Sequence, residues 1–225
     1  MSSLELHSGA LPPAQREIWP LLAGSVGLGF VLYGGTAVAL RLGHRTSVDF
    51  DFFTENPIDR QALTKSFSFL ADSTVVQDRE DTLSVLAPTV NGTIKVSFFG
   101  GLDMGRAGTP DLTPDGVLEI ASLLDLLGTK LKVIQQRIEA KDYLDVAAIL
   151  RSGVRLEDGL AAASALYRSM FQPSEASKAL AYFEGGDLKS LPASDRELLV
   201  NAVANMRRLP VAGLASLSLS ARIRG

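Results

Sequence analysis

Asp49 and Asp51 stand one residue apart in the run VDFDFF, alternating with Phe50 and Phe52. Successive side chains of an extended strand point to opposite faces. The two carboxylates therefore share one face, about 7 Å apart, and the phenylalanines take the other. Oxygen donors at that spacing suit a hard cation such as Mg²⁺. Upstream lies Gly34-Gly35, a pair that permits a sharp turn and close approach to the backbone. Thr36 then sits near the start of a helix-forming run, TAVALRL. The first N–H groups of such a helix are unpaired and form a seat for phosphate. A phosphate seat at Gly34, Gly35 and Thr36, followed by a metal-binding pair at Asp49 and Asp51, points to a nucleoside triphosphate (NTP) held with Mg²⁺. Between them, Arg45 either contacts phosphate or pairs with Asp49, and Ser47 either finishes a turn or bonds to phosphate.

The elements that must position these residues are short. FVLY (30–33) reads as a buried strand, 36–42 as the following helix and 48–53 as the acidic strand. A first helix is expected over 14–23 and a loop over GSVGLG. Asp59 is expected to cap a helix reaching about residue 71. Strands follow at 73–77 and 82–90, the second placed at an edge or bulge because of Pro88. Asn91-Gly92 marks a hairpin turn leading into 93–99, and the Gly/Pro-rich stretch 100–116 reads as a loop able to cover a site. Ser122 and Asp125 form a capping box for a helix to about 137, and 141–151, 156–167, 174–183 and 194–207 read as further helices. Strands before residue 100 and helices after 120 predict an α+β fold: a mixed sheet with helices, followed by a helical C-terminal half. The expected division is 1–116 for the sheet-bearing core and 117–225 for the helical region.

GGTAVAL…HRTSVDFDFF resembles the core of the nucleotidyltransferase superfamily, and more narrowly the AbiEii/AbiGii family of toxin–antitoxin and abortive-infection systems. The later run IASLLDLLGTKLKVIQQRIEAKDYLDVAAIL is similar to that family's second signature, a lysine on one helix and K/R-D-x-x-D on the next. The resemblance implies transfer of a nucleotide from an NTP to an RNA or protein acceptor, with Mg²⁺ and with a cognate antitoxin as partner. It makes Lys130 the candidate phosphate-neutralising side chain. Asp142 would orient Lys130 or act as a base, and the helical region would complete the site. Asp145 reads as a structural partner for a nearby arginine. Many members of the superfamily carry a third carboxylate on a later strand; TIKVSFF places Ser97 there. Serine is a poor metal ligand and no base by itself at neutral pH. An antibiotic-modifying transferase shares the same core, and a degenerate fold kept for nucleotide or protein binding is the rival from another class.

Composition narrows the field. The 225 residues are 46% hydrophobic with a net charge of −3, so a surface wholly given to nucleic acid is excluded while a local basic groove is not. Without cysteine there is no disulfide or thiolate chemistry, and a cytoplasmic address is expected. The run MSSLELHSGALPP lacks the basic start and apolar core of a signal peptide. Residues 21–40 carry no charge, but their glycines and the acidic strand that follows argue against a membrane span. Two histidines and no G-x-x-x-x-G-K-[ST] run remove a histidine metal site and a P-loop.

Overall fold

The computed structural model describes residues 5–222. Residues 1–4 and 223–225, the outermost parts of the N-terminal run and of the tail, lie outside it. The described chain divides into two compact units. Residues up to 105, 109–122 and those from 216 onward form one; residues 106–108 and 123–215 form the other.

The sheet unit contains, in order, α1 (Pro13–Ile18), α2 (Gly24–Gly27), β1 (Val31–Tyr33), α3 (Gly34–Leu42), β2 (Asp49–Phe53) and α4 (Arg60–Ser66). These are followed by β3 (Thr74–Arg79), β4 (Thr82–Thr89), β5 (Gly92–Phe99), β6 (Asp111–Leu112) and β7 (Glu119–Ile120). The strands make one mixed sheet in the order β3-β4-β5-β2-β1-β7-β6. β2 runs parallel to β5 and β1 parallel to β7, while the remaining neighbours are antiparallel. Phe50, Phe52, Phe98 and Phe67 are fully buried, with Phe67 and Phe98 ring centres 4.9 Å apart. Burying each such ring stabilises the fold by roughly 1.5–3 kcal/mol. That apolar anchorage turns Asp49 and Asp51 to the opposite face of β2.

Several boundaries differ from the sequence reading for identifiable reasons. Pro20 has no N–H, so α1 stops at Ile18 and the chain continues as a 3-10 turn over Trp19–Leu22. GSVGLG contains the short helix α2 rather than a plain loop. α3 starts at Gly34, where a φ of +73° suits glycine. Asp59 does cap α4, its Oδ1 accepting from Gln61 N at 2.9 Å and Ala62 N at 3.0 Å, but the α-helix ends at Ser66 and gives way to a 3-10 turn. β4 is an inner strand. Pro88 is tolerated because the pairing with β3 reaches no further than Leu86, leaving no partner on that side for the missing N–H. The irregularity lies in β3, between Val75 and Gln77. The hairpin turn is Val90-Asn91, since Gly92 already pairs with Thr89.

The division expected at 116/117 falls inside the hairpin that pairs β6 with β7, so the sheet unit extends to Ser122. The stretch 100–116 is not a free cover. Gly100, Gly101 and Leu102 donate to the carbonyls of Asp81, Asn56 and Thr54, and Asp111–Leu112 forms β6. The tail also returns to the sheet unit. Glu55 accepts from Ser218 Oγ at 2.7 Å and Leu219 N at 3.0 Å, while buried Glu119 accepts from Ser220 Oγ at 2.5 Å and Ala221 N at 3.2 Å.

The helical unit holds α5 (Leu123–Ile134), α6 (Ala140–Arg151), α7 (Leu156–Tyr167), α8 (Pro173–Leu180) and α9 (Ala193–Ala204). α5 and α7 approach closely at two glycines: a Cβ on Gly128 would lie 3.1 Å from Leu166 Cδ1, and one on Gly159 would overlap Leu127. Residues 106–108 join this unit because the Asp125 carboxylate accepts from Ala107 N at 2.6 Å and Gly108 N at 3.0 Å. Among the described residues no helix is long and apolar enough to cross a membrane. The uncharged run 21–40 is shared among the 3-10 turn, α2, β1 and α3.

Candidate active site

In the sheet unit, β1 and β2 pair so that Tyr33 stands opposite Asp51, and the next residue, Gly34, opens α3. A Cβ built on Gly34 would lie 2.5 Å from Asp51 Oδ2. The carboxylate therefore rests directly against the backbone at the helix start, a position that neither a side chain nor an ordinary φ allows. Among the described residues no side chain caps α3. Its first N–H groups keep the capacity to bind an anion that capping would have consumed.

Asp49 and Asp51 are half-buried on one face of β2, as the alternation predicts. Among the described residues the Asp49 carboxylate makes no ion pair, so the suggested Arg45–Asp49 pair does not form. The Arg45 guanidinium instead lies over Gly35, where a Cβ would collide with Nη2, and Nη1 donates to Thr46 O at 3.0 Å. Thr36 Oγ1 lies 2.9 Å from Ser47 Oγ, both side chains being buried, and it also donates to Asp49 O. These bonds tie the first turn of α3 to the start of β2. Ser47 thus braces the helix against the acidic strand.

β5 supplies the next column of this face. In the parallel register Asp49 stands beside Lys95 and Asp51 beside Ser97. Ser97 is fully buried, and among the described residues its hydroxyl has no hydrogen-bond partner. The place where a third carboxylate was sought is thus occupied by a hydroxyl, in register with Asp51. Among the described residues no group of three His, Cys, Asp or Glu gathers around a metal position. Two carboxylates still fit Mg²⁺, which keeps several waters and combines one or two carboxylates with substrate phosphates.

In the helical unit Lys130 and Asp142 meet as expected. Lys130 Nζ lies 2.8 Å from Asp142 Oδ1 and also 2.6 Å from Asp145 Oδ2. Lys130 is 5% exposed, and both aspartates are fully buried. Asp145 therefore pairs with the lysine, as Asp142 does. Arg137, half-exposed, adds a second cation: its Nε lies 2.8 Å and its Nη2 3.2 Å from Asp142. Burial pushes the Asp142 carboxyl up, but the bonds and charges of Arg137 and Lys130 outweigh it and hold the group below its ordinary value. It stays ionised, with both oxygens hydrogen-bonded to cations, an arrangement that suits orienting Lys130.

The sequence model describing the nucleotidyl transferase AbiEii toxin of type IV toxin–antitoxin systems matches residues 21–206. The chain belongs to the AbiEii family. An uncharacterized protein of Aquifex aeolicus (strain VF5) is 36% identical over 124 residues, a match covering 54% of this AbiEii-family chain and 58% of that relative's length. A putative nucleotidyltransferase from H. pylori is similar in structure, with a TM-score of 0.55 at 15% identity, over 84% of this chain and 92% of its own. A nucleotidyltransferase-like antigenic protein from Paracoccidioides brasiliensis reaches a TM-score of 0.50 at 17% identity, over 86% and 94% of the two chains. These likenesses show a shared fold, the α+β arrangement with a mixed sheet expected from the sequence.

In this AbiEii-family chain the sheet unit gathers Gly34, Gly35, Thr36, Arg45, Ser47, Asp49 and Asp51 within neighbouring turns of β1, α3 and β2. The helical unit gathers Lys130 with Asp142 and adds Arg137 and Asp145. Sequence reading passed over Lys95. The signal was present in TIKVSFF, where Lys95 precedes Ser97 by the same two-residue step that separates Asp49 from Asp51.

Proposed function

We propose that this AbiEii-family chain is a Mg²⁺-dependent nucleotidyltransferase that moves a nucleoside monophosphate from an NTP to a hydroxyl of an RNA or protein acceptor. The observation that carries this reading is the contact of Asp51 with Gly34 at the uncapped start of α3. It sets an anion-binding helix end and a metal-binding carboxylate side by side. The N–H groups at Gly34, Gly35 and Thr36 hold the outer phosphates, with Arg45 beside them. Asp49 and Asp51 would hold Mg²⁺, which when bound supplies charge neutralisation at the transferring phosphate. The acceptor oxygen bonds to the α-phosphorus, the bond to the bridging oxygen of the β-phosphate breaks, and pyrophosphate leaves. The hydroxyl proton passes to solvent. Positioning and charge supply most of the catalysis in such transfers.

Lys130, Asp142 and Asp145 form a buried positioning cluster, with half-exposed Arg137 at its edge, that fixes how α5 packs on α6. The family supports a toxin restrained by a cognate antitoxin, and the cysteine-free sequence is consistent with action in the cytoplasm. One observation favours a second reading, a degenerate nucleotide-binding module: the buried Ser97 hydroxyl where the superfamily often has a carboxylate. Incubation with Mg²⁺, each α-labelled NTP and cell extract separates the two. A labelled acceptor with pyrophosphate release supports transfer, while NTP binding without release supports the module.

A further inference from the structure

Nucleotidyl transfer needs a cation at the phosphates, and Lys130 is a poor candidate for that contact. Its ammonium is buried and held by two carboxylates at 2.8 and 2.6 Å, so its charge is already compensated within the helical unit. Lys95 is in the opposite condition. Parallel pairing of β2 with β5 places it beside Asp49, on the face that also carries Asp51. Side chains in register on neighbouring strands stand about 5 Å apart at their bases, within easy reach of each other. Lys95 is exposed, and among the described residues it makes neither an ion pair nor a side-chain hydrogen bond. On its other side β4 offers Leu86, which has no charge to pair with.

An uncommitted lysine next to an uncommitted aspartate is held ready for a charge that arrives from outside. Two carboxylates in register with β5 repel a triphosphate, and one divalent cation does not offset both the carboxylates and the phosphates. Lysine suits this deficit, because its ammonium is a compact charge with three donors on a flexible stem. Arg45 already lies over Gly35, at the α3 end of the aspartate pair. Lys95 stands at the β5 side. We propose that Lys95 contacts the phosphates of the bound NTP, so that the sheet unit carries its own phosphate cation. The proposal deepens the nucleotidyl-transfer reading and rests on it.

The experiment compares the full chain with Lys95→Ala, Lys95→Arg and Asp51→Asn. It measures affinity for Mg²⁺–ATP and Mg²⁺–CTP by calorimetry, together with KM and kcat for labelling. A charge-assisted contact predicts that Lys95→Ala weakens NTP binding about ten- to a hundredfold. Lys95→Arg recovers most of that loss. The melting temperature stays at the parent's value, because the side chain is exposed and unpaired. NTP binding that is lost in Asp51→Asn but unchanged in Lys95→Ala would overturn the role of Lys95 and leave the reading of the site intact. No Mg²⁺-dependent NTP binding by the parent would overturn both.

Discussion

Asp51 Oδ2 lies 2.5 Å from where Gly34 would carry a Cβ, so the acidic strand and the start of α3 approach more closely than any other residue pair at those positions would allow. Gly34 also has a φ of +73°, which costs an ordinary residue roughly 1–3 kcal/mol. Gly34→Ala is therefore expected to lower the melting temperature and to push the Asp51 carboxylate out of place. Labelling by NTP should fall at least tenfold even at temperatures where the variant stays folded. A variant with parental stability and activity would show that the close approach is incidental.

Gly35→Val separates the phosphate seat from the turn. Gly35 has no positive φ, and an added side chain there meets the far end of Arg45 and, at 3.2 Å, Ser47 Oγ. Arg45 can swing aside, so the fold should survive while NTP affinity drops. Calorimetry on a folded variant with unchanged affinity would reduce Gly34-Gly35 to a turn.

Lys130→Met leaves Asp142 and Asp145 buried without their common cation. Breaking a buried pair from one side typically costs about 3–5 kcal/mol, so chemical denaturation should show a loss of that order. Arg137→Ala should cost less, since that side chain is 46% exposed and solvent replaces part of what is removed. Equal stability of parent and Lys130→Met would contradict the assignment of Lys130 to a buried positioning cluster.

Asp142 also predicts a pH dependence. The folded protein holds its carboxyl below the ordinary value of 3.8, so on acidification the unfolded chain takes up the proton first. The stability that Asp142 contributes is fully present above about that value and is lost as pH falls through the lower, folded value. Asp142→Asn should be less stable than the parent at neutral pH, and the gap should close in that acid range. A gap independent of pH, measured by denaturation at a series of pH values, would count against the ion pair.

The sheet face was legible because period-two alternation in VDFDFF has a single solution once Phe50 and Phe52 are buried. The contact of Gly34 with Asp51 was half legible: glycines announce a close approach but not what approaches. Lys95 was half legible: its two-residue step from Ser97 puts the two on one face of a strand, but that this strand lies beside β2 depends on tertiary pairing. The Lys130–Asp142 pair was legible through the resemblance to the family's second signature, a lysine on one helix and K/R-D-x-x-D on the next. Burial of the pair depends on the rest of the helical unit and left no local trace. The tail was equally opaque, since Glu55 and Glu119 bind it from positions more than a hundred residues away in sequence.

The central claim is that Asp49 and Asp51 hold the metal for nucleotidyl transfer. Its most direct test is the Mg²⁺-dependent transfer of label from α-labelled NTP to material in a cell extract, measured for the parent, Asp49→Asn and Asp51→Asn. Both side chains are half-buried on a strand anchored from its other face, so both variants should fold. The predicted result is labelling by the parent that a chelator abolishes, with each variant reduced by about 10²-fold or more. Labelling at the parental level in both folded variants would contradict it.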